Sequence, residues 1–139
     1  MTNFKPMLAN PVSENIDFDT RAYAIQPKLD GVRCYINRFG AFSRNHKPFY
    51  NAKHILTELK PLFVAYPDII LDGELYNHKY KNNFNKIISL VRKQKPTQAD
   101  KFEAASYLQF HCYDLFDPSK SDAPFIDRTL RITAIVSQF

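Results

Sequence analysis

Glycine is scarce in this chain, with three residues in 139, at positions 31, 40 and 73. That leaves no Gly-rich Walker loop and no GxGxxG fingerprint, so the commonest nucleotide-binding signatures are excluded. Cysteine is scarce as well. Cys34 and Cys112 stand far apart among apolar or aromatic neighbours, which reads as two buried reduced thiols and not as a disulfide framework. His46, His54, His78 and His111 are scattered, with no cysteine or histidine at zinc-ligand spacing beside them, so no structural metal site is expected. No apolar run approaches the ~20 residues of a membrane helix. The opening MTNFKPMLANPVSEN lacks the charged start, apolar stretch and cleavage site of a secretory signal, and a cytoplasmic location is the expectation.

Acidic residues are missing from one particular stretch. Between Lys79 and Lys101 a single acid, Asp100, faces seven basic residues: Lys79, Lys81, Lys86, Arg92, Lys93, Lys95 and Lys101. The remainder of the chain is nearly balanced, so the net charge of +5 is a local excess. Such a segment is ordinarily a solvated surface, and it is also what a polyanion-binding face looks like.

What is present fits one soluble α+β domain, or part of one. Residues 22–27, AYAIQP, alternate and predict a strand leading into Lys28, with Gln26 and Lys28 on one face. Residues 32–37 (VRCYIN) and 41–44 (AFSR) predict two more strands, joined at NRFG with Gly40 supplying the permissive backbone. Ile55, Leu56, Leu59, Leu62 and Phe63 recur at helical spacing over 50–66, with a kink or break expected at Pro61. In DIILDGELY, residues 68–76, Ile69, Leu71 and Leu75 alternate with Asp72 and Glu74, placing both carboxylates on one face. A helix is expected from about Phe84 to Lys95, ended by Pro96, with Arg92, Lys93 and Lys95 at its carboxy-terminal dipole. Residues 106–116 predict a strand with Leu108, Phe110 and Cys112 toward a core and His111 and Tyr113 opposite. A last helix is expected from about Pro124.

Two of the glycines follow aspartates, in KLDGVR (28–33) and LDGELY (71–76). Taken alone, the first reads equally as a hairpin turn with solvated flanks, and the second as a strand with a glycine bulge and a surface carboxylate pair. With Phe42-Ser43-Arg44 and Tyr113-Asp114-Leu115-Phe116 they form an ordered series, and here the chain strongly resembles the ATP-dependent DNA ligases. Lys28, Asp30, Gly31 and Arg33 match that family's Lys-x-Asp-Gly-x-Arg pattern, whose lysine takes AMP covalently. Ser43 and Arg44 look like its Ser-Arg element, Asp72-Gly73-Glu74 like its acidic strand, and Tyr113 like the aromatic that stacks on adenine. KPMLA (5–9) and PFIDR (124–128) resemble segments flanking the same core.

The resemblance implies part of an antiparallel α+β nucleotidyltransferase fold over residues 1–139, with ATP and Mg²⁺ as cofactors and nicked duplex DNA as partner of a monomer. It implies Lys28 as nucleophile, nucleotide contacts from Gln26, Leu29, Arg33, Arg44, Glu74 and Tyr113, and Mg²⁺ at Glu74 and Asp30. Asp30 can also be read as simply the turn residue before Gly31, and Tyr113 as a core aromatic, although alternation turns Tyr113 away from Leu108, Phe110 and Cys112. The family more often carries glutamate at the place of Gln26. An amine attacks phosphorus only as the neutral base, so lysine in this role needs cationic neighbours or desolvation to disfavour its ammonium form. The arginines and a metal would also offset triphosphate charge as pyrophosphate leaves. A complete core of this family continues to paired lysines and an OB-fold barrel, which are not among these residues, so an amino-terminal portion of a ligase is expected. RNA ligases and capping enzymes share the lysine pattern, and a non-catalytic nucleic-acid-binding module using residues 79–101 is the reading from another class.

Overall fold

A computed structural model of the chain describes residues 4–12 and 15–139. Four strands, β1 (Val32–Asn37), β2 (Gly40–Phe42), β3 (Ile70–Tyr76) and β4 (Gln109–Phe116), form one antiparallel sheet in the order β2-β1-β3-β4. Four helices, α1 (Lys53–Ala65), α2 (Phe84–Val91), α3 (Gln98–Tyr107) and α4 (Phe125–Val136), complete the α+β architecture. Among the described residues no helix is long and apolar enough to cross a membrane.

Strand alternation divides the sheet into two chemically distinct faces. Cys34, Ile36, Ala41, Leu71, Leu75 and Leu115 point to one side and join Ile55, Leu62, Phe63, Ile87, Val91, Ala104 and Ile135 in a single buried cluster. Every helix therefore packs on this face, and each fully buried aliphatic side chain there contributes about 2 kcal/mol. Cys34 and Cys112 both pair in register with Gly73, one on each side of it. Both are free thiols. Burial pushes Cys112 up to about 12 and Cys34 higher still, so neither thiol is a reactive group.

The opposite face carries Arg33, Tyr35, Asp72 and Glu74. Part of it is covered by the amino-terminal segment, where Phe4 packs against Tyr35 and Phe116 and Pro6 is fully buried.

Several elements differ from the sequence expectations, each for a physical reason. Residues 22–30 form no strand: the segment is largely exposed and is held by a side-chain contact, Gln26 Nε2 to the Tyr113 carbonyl, in place of a backbone ladder. β2 ends at Phe42, and Arg44 lies in the turn beyond it. α1 runs through Pro61 unbroken: Pro61 sits on the exposed side, and Thr57, whose carbonyl loses its helical donor, is exposed to water. α2 stops at Val91, four residues short of Lys95, since the chain must turn into α3. α3 was not expected. It buries only Ala104 and has no apolar stripe, but it carries a reciprocal cap in which Thr97 Oγ1 accepts from the Asp100 amide at 3.2 Å and Asp100 Oδ2 accepts from the Thr97 amide at 2.9 Å. That helix delays β4 to Gln109. Gly40 has the positive φ, +151°, expected at the β1–β2 turn.

Candidate active site

The polar face of the sheet is organised around Arg33 and Asp72. On neighbouring strands, Arg33 pairs with Glu74 and Tyr35 with Asp72, so these four side chains share one face. Arg33 Nε donates to Asp72 Oδ1 at 2.8 Å and Nη2 to Asp72 Oδ2 at 2.7 Å, a two-point ion pair whose carboxylate is buried. That pairing holds the guanidinium charged even more firmly than usual.

Both site arginines also hold the amino-terminal segment. Arg33 Nη2 donates to the Met7 carbonyl at 3.1 Å, and Arg44 Nε donates to the Pro6 carbonyl at 3.0 Å. The KPMLA stretch thus lies across the polar face because two guanidinium groups satisfy its backbone. Ser43 fixes the turn that carries Arg44, its Oγ accepting from the Lys47 amide at 3.1 Å.

Tyr113 reaches the site through an irregularity in β4. Asp72 pairs with Asp114 and Gly73 with Cys112, which leaves Tyr113 as the extra residue of a β-bulge. Its hydroxyl donates to Glu74 Oε2 at 3.3 Å, and the Arg33 guanidinium lies 5.1 Å from its ring centroid. Burial pushes the phenol above its ordinary range. The far flank of the bulge is anchored by α4: Arg128 donates to both oxygens of Asp114, at 2.7 and 3.0 Å, and to the Ala123 carbonyl at 2.7 Å.

Glu74 is half-buried, and burial raises its carboxyl above the usual range, although Tyr113, Arg33 and the Gly31 amide all favour the charged form. Gly31 itself has no positive φ. Its absent side chain serves close approach: a Cβ there would meet the Leu75 carbonyl and lie 2.8 Å from Glu74 Cγ.

The segment bearing Lys28 is tied to this constellation on both sides. Gln26 Nε2 donates to the Tyr113 carbonyl at 3.1 Å, and Gly31 packs on β3 beside Glu74. Residues 6–138 match the family profile described as ATP dependent DNA ligase domain. The chain belongs to that family. A solved structure described as "DNA binding with a minimal scaffold: Structure-function analysis of Lig E DNA ligases" shares the fold, with a TM-score of 0.55 and 21% identity. The match covers 80% of this chain and 38% of that one, so the chain spans well under half of that ligase's length. No curated protein matches.

Within this ligase domain the structure gathers Gln26, Arg33, Glu74 and Tyr113, with Arg44 alongside through the shared amino-terminal segment. Lys28 and Asp30 are exposed and make no hydrogen bond or ion pair among the described residues, and Leu29 is half-buried. The alternation that put Asp72 beside Glu74 holds, but the two carboxylates have different duties: Asp72 is engaged by Arg33, whereas Glu74 faces Tyr113 and Gly31. Sequence reasoning gave no role to Arg128 or to the carbonyls of Pro6 and Met7. The Arg of PFIDR, fourteen residues after Asp114, was the available signal for the first. Among the described residues no three of His, Cys, Asp or Glu gather as a metal site.

Proposed function

We propose that this ligase domain takes AMP from ATP onto Lys28 and serves a DNA ligase that passes it to the 5′-phosphate of a nick. The observation that supports this most is the bracketing of Lys28 by Gln26 on Tyr113 and Gly31 on Glu74, which ties the nucleophile's segment to an aromatic ring and a carboxylate.

In this reading the Lys28 amine, having lost a proton to solvent, forms a bond to the α-phosphorus as the bond from that phosphorus to the pyrophosphate oxygen breaks. Pyrophosphate leaves with the electron pair. An oxygen of the nick's 5′-phosphate next displaces the lysine nitrogen, and the adjoining 3′-hydroxyl then displaces AMP to join the strands.

Tyr113 offers its ring to adenine, held by the bulge and by Gln26. Glu74 accepts from ribose hydroxyls. Arg33 has two of its three nitrogens committed to Asp72 and Met7, so it is chiefly a positioning group, with Nη1 left for nucleotide oxygen. Arg44, bound only through Nε among the described residues, keeps the end of its guanidinium for phosphate.

The donor set suits Mg²⁺, which binds through one or two carboxylates and keeps water and substrate phosphate as its other ligands. Glu74, whose charge is disfavoured by burial until a cation arrives, and exposed Asp30 would hold it. Bound there, the ion supplies charge neutralisation on the phosphates.

The chain incubated with α-labelled ATP and Mg²⁺, then denatured, is expected to retain a weak covalent label that Lys28→Ala abolishes. Label surviving that change, or forming from GTP in preference to ATP, would overturn the assignment. Nick sealing is expected to require the further strands and barrel of a complete ligase. Joining by these 139 residues alone would contradict that part.

A further inference from the structure

Among the described residues, one that is not glycine is held with a positive φ: His46, at +63°. It lies two residues after Arg44, in the turn that follows β2. A left-handed backbone costs energy for a residue with a Cβ, and it persists where the surroundings impose it. Burial does not impose it here, because His46 is exposed.

Its contacts do. The Tyr35 hydroxyl and His46 Nδ1 are hydrogen-bonded at 2.7 Å, with the two rings edge to face. Tyr35 is only 6% exposed, and a buried hydroxyl without a partner is costly. The turn closes around the same residue: the Ser43 amide donates to the Lys47 carbonyl at 2.8 Å, and the His46 amide to the Ser43 carbonyl at 2.9 Å. Glycine suits such a backbone best, but it has no side chain to reach Tyr35.

Tyr35 also grips the other support of Arg44. Arg44 Nε donates to the Pro6 carbonyl, and Phe4, two residues before Pro6, packs edge-on against Tyr35 with ring centroids 5.4 Å apart. One buried ring therefore fixes both the turn that carries Arg44 and the segment that Arg44 binds. We propose that Tyr35 and His46 form a latch that sets this turn and so aims the Arg44 guanidinium at the phosphates of the nucleotide. Both act through Arg44 and are positioning residues. The target of the guanidinium rests on the ligase reading, whereas the latch itself does not.

The test uses α,β-methylene-ATP, which binds without losing pyrophosphate, and adenosine, which has no phosphate, each titrated by calorimetry. Tyr35→Phe keeps the ring on Phe4 and loses the hydroxyl, and His46→Gly relieves the backbone and loses the imidazole. Each is expected to weaken the ATP analogue about 3- to 10-fold, the worth of one net hydrogen bond, and to leave adenosine unchanged. Arg44→Ala is expected to weaken the analogue about tenfold or more, and adding Tyr35→Phe to it should cost nothing further. Solvent exchange of the Arg44 Nε–H proton, identified in nitrogen-15 spectra by its absence from Arg44→Ala, should accelerate about threefold or more in Tyr35→Phe. That signal reports the latch without any nucleotide.

Parental exchange of the Arg44 proton in Tyr35→Phe overturns the latch. Full additivity of Tyr35→Phe with Arg44→Ala, or an equal loss for adenosine, overturns its action through Arg44. An ATP analogue bound as tightly by Arg44→Ala as by the parent overturns the phosphate role of Arg44, with the latch still decided by proton exchange.

Discussion

Arg33 and Asp72 are diagonal neighbours on adjacent strands and meet through two hydrogen bonds of 2.8 and 2.7 Å, with the carboxylate only 5% exposed. The pair sits where β1 meets β3, orients the guanidinium beside Tyr113, and through Met7 holds the amino-terminal segment on the sheet.

Removing one partner leaves the other, a buried carboxylate or a partly buried guanidinium, without its two-point contact, which costs more than an exposed ion pair is worth. Asp72→Ala is expected to lower stability by about 2 kcal/mol or more in urea unfolding. Arg33→Lys is expected to lose stability as well, because an ammonium cannot reproduce the two-pronged contact with Asp72. Loss of under about 0.5 kcal/mol would identify the pair as an ordinary surface bridge.

Gly73 and Gly31 are predicted to respond differently to the same substitution. A Cβ at Gly73 would collide with the His111 carbonyl and lie 2.8 Å from two atoms of the Phe110 ring, in a strand hydrogen-bonded on both sides. Gly73→Ala should therefore cost about 2 kcal/mol of stability. Gly31→Ala meets the Leu75 carbonyl instead, at the end of an exposed segment that is able to move away. It should leave the unfolding midpoint nearly unchanged and reduce covalent AMP on Lys28. Equal loss of stability in both variants would contradict this division.

Acid should loosen α3 before the sheet. Hydrogen bonds from the Thr97 amide and hydroxyl, then Lys93, hold the Asp100 carboxyl below its ordinary value of 3.8. A depressed folded value means the group's stabilisation is complete above the ordinary value and is lost as pH falls through the folded one. Hydrogen exchange at the first turn of α3 should accelerate as pH drops below about 4, beyond the intrinsic pH dependence of exchange. Asp100→Asn should flatten that acceleration. A first turn equally protected at both ends of this range would remove the cap from the account.

Much of the fold was legible because burial follows local period. VRCYIN predicted a strand, and the alternation in ILDGELY and the helical spacing of Ile55, Leu62 and Phe63 each predicted an element and its inward face. α3 was not legible by that route, since a helix burying only Ala104 has no stripe to detect and announces itself through Thr97 and Asp100 alone. The strand predicted over 22–27 failed for the converse reason: alternation makes a segment fit for a sheet but supplies no ladder partner, and this one is held through the Gln26 side chain on the Tyr113 carbonyl.

By itself, the order of residues determined the family, the two-faced strands and the candidate chemistry, because a motif's spacing and a side chain's direction are properties of a few adjacent residues. Only the tertiary structure decided which charges remain available. Asp72 is occupied by Arg33, Lys86 by Glu103 and Lys93 by Asp100, while the bulge that turns Tyr113 toward Glu74 depends on how β4 pairs with β3. Those outcomes depend on contacts between residues distant in the chain, and Coulomb attraction acts on separation in space, not on separation in sequence.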